Sequence, residues 1–194
     1  LSFSNSADVV VDLTAFDGTK FTSGQTFTVK GTTQADTITG SANADTLQGE
    51  AGADIITGAG GADIISGGAG DDAITGGAGA DVIDGGAGVD TISVTLHATA
   101  AETITGGAGN DIIKTTTDTA TTAAVVKITD FDAGTSTTNA DVLQLSVTAL
   151  KGLATTTDVT DSSGVTAAGT VVTKMTTDGQ TVAGADLIVL SQTY

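Results

Sequence analysis

GGAGDDAIT (67–75), GGAGADVID (76–84) and GGAGVDTIS (85–93) are three consecutive nine-residue units of one pattern, with glycines in front, an aspartate sixth and an aliphatic residue eighth. The pattern runs outward in both directions. Asp36, Asp45, Asp54, Asp63, Asp72, Asp81 and Asp90 fall at an unbroken interval of nine, and Ile38, Leu47, Ile56, Ile65, Ile74, Ile83 and Ile92 each follow two residues later. Upstream units are GTTQADTIT, GSANADTLQ, GEAGADIIT and GAGGADIIS, beginning at Gly31. Downstream, Val94, Thr95 and Leu96 interrupt as an insertion, after which HATAAETIT (97–105) and GGAGNDIIK (106–114) resume the phase. Glu102 and Asp111 then take the aspartate position, and Ile104 and Ile113 the aliphatic one. In such a unit the last three residues are extended with the middle one pointing inward, and the first six must turn. Glycine reaches positive φ without steric cost, so the turn can aim carbonyl oxygens at one point beside the carboxylate.

Two units make one full coil, so turns stack on alternating sides of a solenoid. One column holds the turns ending at Asp36, Asp54, Asp72, Asp90 and Asp111. The other holds those ending at Asp45, Asp63, Asp81 and Glu102. Carbonyls plus carboxylates, without His or Cys, form a hard oxygen site that suits Ca²⁺ better than zinc or copper. An ion is expected between neighbouring turns of one column. The candidate ligands are Asp36, Asp45, Asp54, Asp63, Asp72, Asp81, Asp90 and Asp111. With them go the turn glycines Gly49, Gly52, Gly58, Gly60, Gly67, Gly68, Gly70, Gly76, Gly77, Gly79, Gly85, Gly86, Gly88, Gly106, Gly107 and Gly109. Roughly five ions are expected. The best sites lie between Asp54 and Asp72, Asp72 and Asp90, and Asp63 and Asp81. Asp45/Asp63 and Asp90/Asp111 are compromised, the second by the insertion, and the glycine-free Glu102 turn is expected to bind poorly. Two bare carboxylates at the ~4.8 Å spacing of stacked strands repel by roughly 3 kcal/mol at an effective dielectric of 20. Without cations the tract should therefore be largely unfolded, and folding and binding should be one event.

Composition agrees. The 194 residues carry a formal charge of −17, and there is no Cys, Pro or Trp and only one His. Aromatic residues are 3% of the chain, too few for a large conventional core. Nucleic acid and anionic membranes are poor partners for such a charge, and cations are good ones. No apolar run is long enough to span a membrane as a helix. Without disulfides, an extracellular protein of this kind needs another staple.

Around the repeats the chain reads as strands. Residues 1–30 alternate polar and apolar positions, with Val9, Val11 and Leu13 on one face, Phe21 and Phe27 in further strand-like runs, and turns at Asp17-Gly18 and Ser23-Gly24. Residues 115–124 form a low-complexity linker or irregular strand. VVKITDF (125–131), DVLQLSV (141–147), TVVTKM (170–175) and DLIVLS (186–191) read as separate strands, with one short helical possibility near 148–153. The domain division expected is an N-terminal β segment (1–30), a repeat solenoid (31–114) and a C-terminal β-rich segment (115–194).

GGAGDDAIT, GGAGADVID, GGAGVDTIS and GGAGNDIIK match in full the GGxGxDxUx nonapeptide (U aliphatic), so residues 31–114 resemble the RTX family. The resemblance implies an all-β fold, a right-handed parallel β-roll that binds Ca²⁺, with flanking β-strands. It extends to VVKITDFDAGTSTTNADVLQLS (125–146), which looks like the segment found after the roll in many RTX proteins. It also implies bacterial type I secretion through an uncleaved C-terminal signal. The last residues, DLIVLSQTY, look like the interior of such a tail, so the C-terminal segment is expected to stop short of the signal. A disordered Gly/Ala/Thr tract is the competing explanation of the composition, but disorder would not fix an aliphatic residue two after each aspartate.

No catalytic constellation accompanies the repeats. His97 belongs to no HExxH or triad-like set and reads as a surface or bulge residue. The repeat spacing of the acids favours ligation over a hydrolytic carboxylate pair. There is no Walker motif and no N-glycosylation sequon. Position seven of each unit faces outward and holds Ile55, Ile64, Val82 and Ile112, with Thr or Ala elsewhere. That is β-propensity on a half-covered sheet, or a face that packs on another chain. The expected function is a non-enzymatic, calcium-dependent structural module of a secreted, S-layer-like cell-surface protein, with self-association or lattice contacts. The alternatives are the secretion and folding module of an RTX protease or lipase, and an adhesin stalk.

Overall fold

The computed structural model describes residues 1, 7–15, 25–96, 101–117, 125–131, 141–145, 170–172, 176–177, 180–181 and 187–190. Outside them lie Phe21, the turns at 17–18 and 23–24, His97, most of the expected linker and the helical possibility at 148–153. The described residues contain strands and no helix.

Two parallel sheets are built from alternate strands of the chain. The first takes β1 (Val10–Asp12), β3 (Thr37–Thr39), β5 (Ile55–Gly60), β7 (Ala73–Ala78), β9 (Thr91–Leu96), β11 (Ile112–Thr117) and β13 (Val142–Leu145), in that spatial order. The second runs from β2 (Thr28–Lys30) through β4 (Thr46–Ala51), β6 (Ile64–Ala69), β8 (Val82–Ala87), β10 (Ala101–Ala108) and β12 (Val125–Ile128) to β17 (Leu187–Leu190) and β14 (Thr170–Val172). Every pairing within this order is parallel except β14 with β17, and β15 (Thr176–Thr177) and β16 (Gln180–Thr181) form a separate antiparallel pair. The chain steps between sheets at each nonapeptide, which makes it a parallel β-roll.

The register is that of the repeat. Ile38, Ile56, Ile74, Ile92 and Ile113 pair strand to strand on one side, and Leu47, Ile65, Ile83 and Ile104 on the other. All are buried, and Val11, Val29, Val126 and Ile128 extend the same core beyond the repeats. In the repeats before the insertion the core is one aliphatic residue deep per strand, so each coil depends on its neighbours for burial.

Three features differ from the sequence reading. The central strands are six residues long, because the glycine half of each unit stays paired to the next coil, as in Glu50 with Gly68 and Ala51 with Ala69. Only positions four to six form the turn. The insertion is absorbed as strand: Val94, Thr95 and Leu96 pair with Thr115, Thr116 and Thr117, and Val94 enters the core at 1% exposure. The strands at 125–128 and 142–145 are continuations of the two sheets, pairing with β10 and β11.

Candidate metal centre

Each repeat aspartate points into the roll and is fixed by its position between two inward residues, the first glycine of its own unit and the aliphatic residue two ahead. Asp36, Asp45, Asp54, Asp63, Asp72, Asp81, Asp90 and Asp111 are all at most 2% exposed. Their carboxylates form two ladders. Oδ1 of each accepts the backbone N–H of the acidic residue one coil earlier: Asp54 from Asp36 (2.6 Å), Asp72 from Asp54 (2.8 Å), Asp90 from Asp72 (2.8 Å) and Asp111 from Asp90 (2.9 Å). In the other column Asp63 accepts from Asp45 (2.8 Å), Asp81 from Asp63 (3.0 Å) and Glu102 from Asp81 (2.8 Å). The Asp90–Asp111 link matches the others despite the insertion. Glu102, one methylene longer, reaches the same amide from a turn without glycine.

The second carboxylate oxygen sits differently. Oδ2 of Asp54, Asp63, Asp72, Asp90 and Asp111, and Oε1 of Glu102, are buried without a hydrogen-bond partner. An ionised oxygen in that state is costly. Burial accordingly pushes Asp54 and Asp90 up to about 6 and Asp63 and Glu102 up to about 7; the donated amides oppose the shift and the neighbouring acids add to it. Asp72 and Asp111 are raised for the same leading reason.

The glycines fall into three classes. Gly49, Gly58, Gly67, Gly76, Gly85 and Gly106 open each unit and are buried. A Cβ at Gly67 would collide with Asp72 Oδ2 and with the Gly85 carbonyl oxygen of the next coil, so its hydrogen marks where these oxygens converge. The second and fourth positions (Gly68, Gly77, Gly86 and Gly107; Gly52, Gly70, Gly79, Gly88 and Gly109) all lie at positive φ, between 101° and 150°. Cβ atoms at Gly68 and Gly70 would collide with the Glu50 and Gly52 carbonyl oxygens one coil back, so these carbonyls are aimed at the next turn of the column. Gly60 stands apart. It is a third-position residue whose added Cβ would meet nothing closer than 3.6 Å, whereas Gly61, at φ 108°, occupies the fourth position of that unit. Counting the unit from Gly58 identifies Gly61 directly.

The donor set thus has one carboxylate per turn and the rest backbone carbonyls. Among the described residues no three His, Cys, Asp or Glu side chains gather into a cluster of their own. A hard cation that accepts several oxygen ligands in flexible geometry fits such a set: it would take the orphaned carboxylate oxygens and the aligned carbonyls together.

Other residues close the ladders and were not singled out from sequence. Val9 N–H donates to Asp36 Oδ1 (2.7 Å) and Phe27 N–H to Asp45 Oδ1 (2.8 Å) at the first coil. At the far end Asp141 Oδ1 accepts the Asp111 amide (3.0 Å), and Asp130 accepts Gly106 and Gly107 amides on its two oxygens (2.8 and 2.7 Å). Asp71 Oδ1 bonds the Val89 amide (2.8 Å), tying two turns of one column. In the first two turns Thr32 and Ser41 hydroxyls bond Asp36 and Asp45.

Comparison with protein families gives a match to the RTX calcium-binding nonapeptide repeat (4 copies) over residues 30–65, 57–92 and 99–115. Comparison with curated proteins returned no match, and neither did comparison with solved structures. The matched residues are those of the carboxylate ladders, and over this tract the chain is similar to the RTX calcium-binding repeat family.

Proposed function

We propose that the chain is a calcium-dependent structural module of a secreted bacterial cell-surface protein, of S-layer type, that folds and assembles on extracellular Ca²⁺. The observation that carries this reading is the set of buried second carboxylate oxygens, on Asp54, Asp63, Asp72, Asp90, Asp111 and Glu102, that have no hydrogen-bond partner. In a chain of charge −17, those oxygens are positions for cations. Asp54, Asp63, Asp72, Asp81, Asp90 and Asp111 supply the carboxylates, and the second- and fourth-position carbonyls complete the shell. Bound calcium supplies the positive charge that makes stacking of like charges favourable. The fold is otherwise too thin in core to offset their repulsion. At low cytoplasmic calcium the chain stays open for export, and at about 10⁻⁴–10⁻³ M outside it closes.

Assembly is supported by the outer face. Ile64 and Val82 lie side by side on β6 and β8 at 56% and 49% exposure, with Ile55 at 54% on the opposite sheet. The expected domain division, 1–30, 31–114 and 115–194, is kept as a division of sequence units, although both sheets run across its boundaries. Sedimentation and electron microscopy of the chain with calcium and with chelator test the reading. Calcium-dependent assembly lost on chelation is expected; unchanged folding and assembly in chelator would overturn it. An HExxH or GxSxG motif in the sequence upstream of Leu1 would instead favour the folding module of a secreted enzyme.

A further inference from the structure

The first two turns of the roll differ from all later described turns in a way that bears on which turns take an ion. In the turns at 49–54, 58–63, 67–72, 76–81, 85–90 and 106–111, positions two and four both have positive φ. In the turns at 31–36 and 40–45 neither position does: Thr32, Gln34, Ser41 and Asn43 are not left-handed. Hydrogen bonds close the turns instead. Asp36 Oδ2 accepts the Thr32 N–H (2.6 Å) and hydroxyl (3.0 Å), and Thr32 Oγ1 accepts the Gln34 N–H (3.1 Å). Asp45 Oδ2 accepts the Ser41 N–H (2.7 Å) and hydroxyl (2.8 Å), and Ser41 Oγ accepts the Asn43 N–H (3.1 Å). With Oδ1 of each aspartate held by Val9 or Phe27, every oxygen of both carboxylates has a hydrogen-bond partner.

We propose that the Thr32 and Ser41 hydroxyl networks take the place of the cation, so that the turns at 31–36 and 40–45 close without calcium. The inference rests on the reading of the orphaned oxygens as ligand positions. Its physical basis is competition for the same lone pairs. A cation at Asp36 or Asp45 must break two charge-assisted hydrogen bonds to Oδ2 and finds no left-handed residues in the same turn to aim carbonyls at it. At Asp72 it breaks none. The sequence expectation that counts Asp36 and Asp45 among the ligands is thereby revised, and the first coil becomes a fixed end on which the calcium-dependent coils stack.

Ion stoichiometry of the full chain tests this, measured by equilibrium dialysis against calcium with atomic emission, alongside the calcium midpoint of folding. Asp36→Asn/Asp45→Asn is expected to leave the ion count unchanged, with any shift of the midpoint due to the hydrogen bonds it loses, while Asp72→Asn lowers the ion count. A lower count in the first pair, with Asp72→Asn also lower, overturns the inference and leaves the ligand reading intact. An unchanged count in Asp72→Asn defeats the ligand reading itself. Should the Asn pair not fold, Thr32→Gly/Gln34→Gly/Ser41→Gly/Asn43→Gly decides. Restoring glycine at positions two and four is expected to add about two ions per chain, and an unchanged count overturns the inference.

Discussion

Asp72→Asn separates the two roles of a ladder carboxylate. Asp72 is 2% exposed, its Oδ1 accepts the Asp54 N–H at 2.8 Å, and its Oδ2 has no partner. Asparagine keeps the acceptor and removes the charge. Without calcium, full ionisation would cost about 3 kcal/mol per neighbouring carboxylate at strand spacing. Burial holds the Asp72 carboxyl above its ordinary range, so removing the charge should stabilise the metal-free fold. With calcium the sign reverses. Removing one partner of a buried charge pair costs about 3–5 kcal/mol. If about five ions bind in one folding step, a loss of ~3 kcal/mol raises the calcium midpoint about threefold. Far-UV circular dichroism reads both arms: trimethylamine N-oxide-induced folding in chelator, and calcium titration. A variant equally destabilised in both, or one with an unshifted calcium midpoint, would make Asp72 a hydrogen-bond acceptor of the fold and no more.

Acid should substitute in part for calcium. Asp54, Asp63, Asp90 and Glu102 have folded pKa values of about 6 to 7, above their unfolded values near 4. Their contribution to stability is therefore present below about pH 4 and is lost as pH rises through 6–7. Circular dichroism of the chelated chain should show β structure gained on acidification from neutral pH and lost on return. Gly67→Ala should prevent closure of its coil, because the new Cβ meets Asp72 Oδ2 and the Gly85 carbonyl oxygen; Gly60→Ala should change stability by no more than about 0.5 kcal/mol. Thermal melts in saturating calcium distinguish them. Ala59, at φ 77°, sits where other units have glycine, and Ala59→Gly should stabilise by about 0.5–1 kcal/mol in the same melts.

The columns, the core and the buried aspartates were legible because one nine-residue period fixes them all. Two units per coil place Asp54 above Asp36 and Ile56 beside Ile38, and nothing non-local is needed to see it. What stayed hidden breaks the period or depends on φ. Asp141 follows Asp111 after 30 residues, and Asp130 stands where later glycines would be, so neither could be counted into the ladder. Thr32 and Ser41 read as lost glycines, and their hydroxyl bonds exist only because the backbone at position two is not left-handed. The insertion reads as an interruption, yet strands can lengthen in register on both sides of it, and Val94 found a place inside.

Whether calcium folds this roll is read from the far-UV circular dichroism of the chain at neutral pH, titrated with Ca²⁺ and separately with Mg²⁺. A cooperative gain of β structure is expected at about 10⁻⁴–10⁻³ M Ca²⁺ and none at equal Mg²⁺, whose octahedral shell such a carbonyl-rich site cannot match. Full β structure in chelator, or equal folding with magnesium, would contradict it.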